Sequence, residues 1–370
     1  MRRAMQWLVG AHVVGMLAIV GAAIGSNSPA TAGRDGSHPR PARGRPAPSP
    51  ALLVLSKTDQ VLSIVDPATL RVLARIPSGP DPHEVVASAD GRVAYISNYG
   101  GGAYHTITPV DLVGRRALPA IDLGALRGPH GLEFVGGKLW FTAEAAKAVG
   151  RYDPGTGRVD WVLGTGQDRT HMLVVAPDGR RVVTTNVNAG TVSVLEEGAA
   201  RGPGPGPGPG GPPGGASRTD WTATVVPVGR GAEGVDVSPD GREAWVANAG
   251  DGTISVVDLA AKRVVQTLAA DVRGANRLKF TPDGALVFVS TLGGPDVTVL
   301  RAATRAVVKR IPVGRGAAGI QMRPDGARAY VACTPDDDVA AIDVRSLAVV
   351  GRVPAGRQPD GLAWAGAADR

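Results

Sequence analysis

Apolar and polar residues alternate along most of this chain in short runs broken by turn residues, a period of two that predicts half-buried β-strands and no long helix. One stretch carries the whole pattern. Gly234 to Val237 begins a strand of about five residues, and Pro239-Asp240-Gly241 supplies hairpin chemistry: proline presets φ, aspartate can bond its own backbone, and glycine accepts positive φ. Ala244 to Ala247 is a second strand, Ala249 to Gly252 a turn, Thr253 to Val257 a third strand, and Arg263 to Leu268 a fourth. Such a four-stranded unit has two open faces and must bury them against neighbours.

The unit recurs seven times at a spacing of about 42 residues. Its mark is the turn at Pro177-Asp178-Gly179, Pro239-Asp240-Gly241, Pro282-Asp283-Gly284 and Pro324-Asp325-Gly326. Altered forms stand at Ala89-Asp90-Gly91, Val135-Gly136-Gly137 and Trp364-Ala365-Gly366. The expected fold is all-β, a seven-bladed β-propeller of four-stranded antiparallel blades. Gly361 to Ala365 reads as a first strand with nothing after it, and Leu52–Leu55, Val61–Val65 and Val72–Ile76 read as strands two, three and four. Together they predict one composite N/C-terminal blade that closes the ring and removes its open edges.

Tyr330-Val-Ala-Cys333, Trp245-Val-Ala-Asn248 and Tyr95-Ile-Ser-Asn98, each leading through a turn into a Val- or Ile-containing strand, resemble the YVTN-type propeller repeat, over essentially residues 51–370. The resemblance implies the fold; such repeats occur in surface proteins, periplasmic binding proteins and lactonase-like enzymes, so function has to come from the site.

Residues 1–32 read as a signal peptide: Met1-Arg2-Arg3 is a basic start, Trp7 to Ile24 an apolar stretch, and Ala30-Thr31-Ala32 a small-residue cleavage site. An uncleaved anchor is the other reading, which His12 and the interspersed glycines disfavour. Residues 33–50 form a Pro/Arg-rich tether, and 197–218 a Gly/Pro-rich loop inserted between the third and fourth strands of one blade. The expected compartment is periplasmic or secreted, with no membrane span after cleavage and a monomeric chain. The net charge of +7 does not signal nucleic acid. Residues 1–50 hold six Arg and one Asp, leaving 34 basic against 32 acidic groups in the propeller. The single Cys333 excludes an intrachain disulfide; it is either a small buried residue or a reactive thiol.

Stepping eight residues back from each turn glycine, with short deletions allowed, gives His83, His130, His171, Glu233, Asn276, Ala318 and Asp360. First strands line a propeller channel, so these positions form a ring at one mouth. Three of the six histidines on consecutive blades suggest a divalent transition metal (zinc, copper, iron or nickel) held by His83, His130 and His171. The ends of the second strands return to the same face with Lys57, Asn98, Glu144, Asn186, Asn248, Thr291 and Cys333. Their amides either orient the imidazoles and a ligand or close the turns. Arg127, Arg169, Arg230, Arg273, Arg315 and Arg357 precede the ring position and predict a positive rim suited to an anionic ligand. The candidate ligand-binding set is therefore Asn98, Asn186, Asn248, Asn276, Asp360, Arg230, Arg315 and Arg357.

One blade carries a second resemblance. Pro129-His-Gly-Leu-Glu-Phe134, Leu139-Trp-Phe-Thr-Ala-Glu144 and Val149-Gly-Arg-Tyr-Asp153 are similar to the repeat of the virginiamycin B lyases, magnesium-dependent seven-bladed propellers that open a cyclic depsipeptide by elimination. That resemblance spans about 25 residues and implies catalytic roles for His130 and Glu144. Walker, Gly-x-Ser-x-Gly, Cys-x-x-Cys and His-Glu-x-x-His motifs are absent. Two functions fit the ring. One is an exported propeller that binds a small molecule or a protein at its axial face. The other is a metal-dependent lactonase or lyase acting on a small anionic substrate, with Glu144 or Glu233 as general base.

Overall fold

The computed structural model describes residues 49–199 and 219–366. The expected signal peptide, nearly all of the tether and the Gly/Pro tract from residue 200 to 218 lie outside the described residues. Seven antiparallel sheets follow one another along the chain and form the β-propeller expected from the repeats. Blade 1 is composite: Pro359–Ala365 pairs with Ala51–Ser56, followed by Val61–Asp66 and Arg71–Pro77. Its closing register runs from Ala51 opposite Ala365 to Val54 opposite Leu362. Blades 2 to 7 begin at Pro82, Pro129, Thr170, Ala232, Ala275 and Ala317, each strand adding one step outward from the axis.

Two departures from the regular pattern have local causes. The outer strand of blade 2 is split into Arg116–Ala117 and Ile121–Asp122, both paired with Thr106–Asp111. Pro119 falls in the gap and cannot donate to the ladder. In blade 4 the hairpin flanking the insertion continues further than expected: strand three runs to Ala199, which pairs with Thr219, so residues 197–199 of the expected loop belong to the strand.

The core is a set of layers between blades. Because side chains alternate faces along a strand, Trp245 packs toward blade 6, against Leu278 and Val287, while Val246 packs toward blade 4, against Val183 and Val194. Seven apolar clusters result, one in each gap around the ring. The gap that closes the circle, between blades 7 and 1, joins Tyr330, Ala332 and Val353 to Leu52, Val65 and Leu362.

Every inner strand carries a bulge at the same place, next to the ring position identified in the sequence. A bulge withdraws its residue from the ladder and re-aims the side chain, here toward the axis. In four blades a hydroxyl of the second strand takes over the freed amide: Ser97 accepts from Glu84 N at 3.0 Å, Thr142 from Gly131 N at 2.9 Å, Thr185 from Met172 N at 3.2 Å and Ser290 from Arg277 N at 3.1 Å. Thr142 Oγ1 also donates to His171 O at 2.5 Å, so one hydroxyl ties the blade 3 bulge to the blade 4 bulge.

Candidate functional site

His83, His130 and His171 come from three consecutive bulges and line up along one wall of the channel mouth. Ring centroids are 5.0 Å apart for His83 and His130 and 3.9 Å for His130 and His171, and Tyr99 packs edge-on against both His83 and His130. The close approach of blades 3 and 4 requires glycine after His130: a Cβ on Gly131 would stand 2.7 Å from His171 O and 3.0 Å from Met172 Cα.

The set able to hold a metal differs from the sequence expectation in one member. Ligand atoms of His130, Glu144 and His171 all lie within 4.8 Å of one another, and all three residues are buried. Glu144 replaces His83. The cause is the turn after the second strand of blade 3, which swings the Glu144 carboxylate between blades so that Oε1 meets His171 Nδ1 while Oε2 accepts from the Tyr99 hydroxyl at 2.5 Å. Arg169 Nε stands 3.6 Å from the same oxygen. His83 is occupied elsewhere: Lys57 Nζ lies 2.9 Å from its Nε2, and Asp360 Oδ2 3.6 Å from its Nδ1.

The electrostatics separate the three imidazoles. Burial, reinforced by His171 and His83, holds His130 well below the ordinary imidazole range, so its imidazole is neutral; its Nδ1 is buried without a hydrogen-bond partner. Burial, relieved by Asp360, brings His83 down to about 4. His171 goes the other way: burial opposes its charged form, but Glu233 and Glu144 together outweigh burial and raise it. Its Nε2 lies 2.9 Å from Glu233 Oε1, too poorly aligned to count as a hydrogen bond. Burial works against the ionised form of both carboxylates, yet His171 holds Glu144 below its usual range and brings Glu233 to about 2. Burial and the Glu144 contact push the Tyr99 phenol up to about 12, keeping it a hydrogen-bond donor.

The remaining expected residues divide cleanly. Glu233, Asn276 and Asp360 line the mouth; Asn276 is buried and its Oδ1 has no partner. The three other asparagines are fully buried and bind the entry loop or the third strand of their own blades. Asn98 donates to Ser78 O and Pro80 O at 3.0 Å, Asn186 to Thr191 and Ser193 at 3.0 Å, and Asn248 to Thr253 and Ser255 at 2.9 Å. The rim arginines are exposed and neutralised: Arg230, Arg315 and Arg357 each place Nε 2.6 Å from an aspartate, Asp251, Asp336 and Asp59, which also accepts from the same residue's backbone N–H. No unpaired positive rim remains in these three blades. Cys333 is buried, and burial pushes its thiol up to about 11, the state of a small core residue.

Tyr99, Glu84 and Arg277 escaped the reading of the sequence. Tyr99 directly follows the strand-end Asn98. Glu84 and Arg277 occupy the position after the ring residue, where four other blades have Gly131, Gly234, Gly319 and Gly361. Departure from glycine in that register is the signal that could have found them, because a side chain there must enter the channel.

The described chain is thus a seven-bladed β-propeller with a buried His–Glu–His group at one axial mouth, and its relatives by shape are other propellers. No protein-family model and no curated protein sequence matches it. A proposed 6-phosphogluconolactonase of Bacteroides uniformis superposes with a TM-score of 0.65 at 15% identity, covering 85% of this chain and 99% of that one. The hydrazine synthase of Kuenenia stuttgartiensis superposes at 0.60 with 19% identity, over 76% of this chain and 89% of that one. A dihydro-heme d1 dehydrogenase superposes at 0.57 with 15% identity, over 82% and 63%. At these identities the likeness is one of fold. Among the described residues no helix is long and apolar enough to cross a membrane.

Proposed function

We propose that this protein is an exported, YVTN-like propeller that binds a divalent transition metal at its axial mouth and, through the metal's open positions, a small ligand. The observation that carries the reading is the convergence of His130, Glu144 and His171, with His130 Nδ1 buried and unpartnered. A buried polar atom without a partner is costly, and a cation repays it. Two imidazoles and one carboxylate with a position to spare are a donor set suited to zinc, and acceptable to copper, iron or nickel. Glu233 and Tyr99, hydrogen-bonding groups beside the ligands, would orient them from outside the coordination sphere. The test is elemental analysis of the protein recovered from its native compartment, beside a His130→Ala/Glu144→Gln/His171→Ala variant. Stoichiometric metal in the first and none in the second supports the reading; no metal in either refutes it.

A second reading is a metal-dependent lactonase or lyase with Glu233, beside His171, as base; its carboxylate, held at about 2 by His171, would gain basicity once a metal displaced the His171 proton. It predicts chelator-sensitive opening of small lactones that Glu233→Gln abolishes while the metal content stays unchanged.

A further inference from the structure

Below the mouth the channel is partitioned. Arg277 of blade 6 reaches Glu84 of blade 2, and since these blades are not neighbours the pair crosses the axis. Arg277 Nη1 also donates to Asn276 O at 3.1 Å, fixing the guanidinium as a floor under the metal group. On the far side of this floor lies a cavity of about 260 Å³ that continues toward the Pro-Asp-Gly turns. It has room for about nine waters, or for a molecule of roughly ten non-hydrogen atoms.

Its lining includes Glu133, Lys279 and Gln321, each three residues past the ring position of its blade, while Asp236, in the same register of blade 5, stands beside Lys279. Each carboxylate is anchored by one oxygen to the next blade, Glu133 Oε2 to Val175 N and Asp236 Oδ2 to Phe280 N at 2.9 Å. Glu133 Oε1 and Gln321 Oε1 have no hydrogen-bond partner among the described residues. Lys279 makes no hydrogen bond among them either; Asp236 Oδ1 stands 3.6 Å away, a loose ion pair in a site solvent can enter.

We propose that this lower compartment is a second binding site, separate from the metal group, for a small zwitterion of the α-amino-acid type, with Lys279 taking its carboxylate and Glu133 its ammonium. Charge complementarity selects that class. Glu84 and Arg277 cancel each other in the floor, and the rest of the lining presents one ammonium, Lys279, and one carboxyl group, Glu133. A simple cation would be repelled by Lys279, and a simple anion by Glu133. A dipolar molecule of net zero charge satisfies both ends. Burial holds the Glu133 carboxyl up at about 7, so at neutral pH part of its population awaits a cationic neighbour.

Isothermal titration of the full chain with glycine and L-serine tests this, with acetate and methylammonium as half-ligands and glycerol as a neutral control. Binding of a zwitterion at least tenfold tighter than either half-ligand is the expected result. Lys279→Met should weaken it at least tenfold with unchanged metal content, which also reports that the variant is folded. Should that variant fail to fold, Glu133→Gln serves instead, losing the ammonium end. Acetate binding as well as the zwitterions, no heat from any zwitterion at millimolar concentration, or unaltered binding in the variants would overturn the proposal. The metal assay is independent, so either site can fail alone.

Discussion

Glu84 and Arg277 stand 193 residues apart in sequence and meet across the propeller axis as a buried ion pair. Their side chains are almost inaccessible, and Arg277 remains charged because Glu84, Asp360 and Glu233 together outweigh its burial. Removing one member strands the other in the channel. Arg277→Met should therefore cost about 3–5 kcal/mol in urea unfolding, whereas the Glu84→Gln/Arg277→Met double variant should recover much of that loss. Equal losses in the single and double variants would show that the pair acts only through packing.

At the mouth, the expected ranking is set by which ligand atoms converge. His130→Ala, His171→Ala and Glu144→Gln should each abolish stoichiometric metal. His83→Ala should retain it, because His83 is held by Lys57 and Asp360 outside the ligand group. Loss of metal in the His83 variant alone would restore the three-histidine arrangement that the repeat register suggested.

That register shows how far the sequence reaches. Blade number, the composite closure and the ring of inward residues follow from a period of about 42 residues and the turn glycines, which are local signals. The exchange of His83 for Glu144 does not follow, because it depends on where a turn side chain swings between two blades. The asparagines kept two readings open for a similar reason. Asn is good both at closing turns and at binding ligands, and only the bonds of Asn98, Asn186 and Asn248 within their own blades decide between them. The rim arginines mislead because the aspartates that neutralise them lie 21 residues ahead, in another turn, or at the opposite end of the chain in the case of Asp59.

Thr142 couples the two histidine-bearing bulges through a single hydroxyl, accepting from Gly131 N and donating to His171 O. Thr142→Val keeps the shape but leaves a buried donor and acceptor unpaired, a loss of about 1–3 kcal/mol. If the hydroxyl also sets the spacing of His130 and His171, metal affinity falls as well, measured by competition with a chelator. Thr142→Ser, which retains the hydroxyl, should rescue the affinity. A stability loss with undiminished affinity would limit Thr142 to a structural role.

Closure of the ring rests on Pro359–Ala365, whose Leu362 packs with Leu52 and Tyr330 between blades 7 and 1. Truncation after residue 358 removes the inner strand of blade 1 and opens its sheet edge. The expected outcome is loss of the cooperative unfolding transition, followed by tryptophan fluorescence. Replacing residues 200–218 by an Asn-Gly turn is the contrasting case. Ala199 and Thr219 are already paired, so the transition and the metal content should be preserved.

Glu133 gives the fold a pH dependence of defined sign. Its carboxyl is raised from the ordinary 4.5 to about 7, chiefly by burial, with Lys279 and the Val175 N–H opposing the shift and Asp236 adding to it. Between those two values the folded state holds a proton that the unfolded chain has released. Stability therefore falls as pH rises from about 4.5 to about 7, by up to about 3 kcal/mol, and is flat with respect to this group outside that window. Glu133→Gln removes the titration and keeps a side-chain oxygen able to accept from Val175 N. Urea unfolding of wild type and variant from pH 4 to 8.5 isolates the effect, since other titrating groups are common to both. The variant should gain on the wild type steadily between pH 4.5 and 7 and hold that gain above it. A difference independent of pH would mean that the channel hydrates Glu133 as bulk water would, leaving it an ordinary carboxylate.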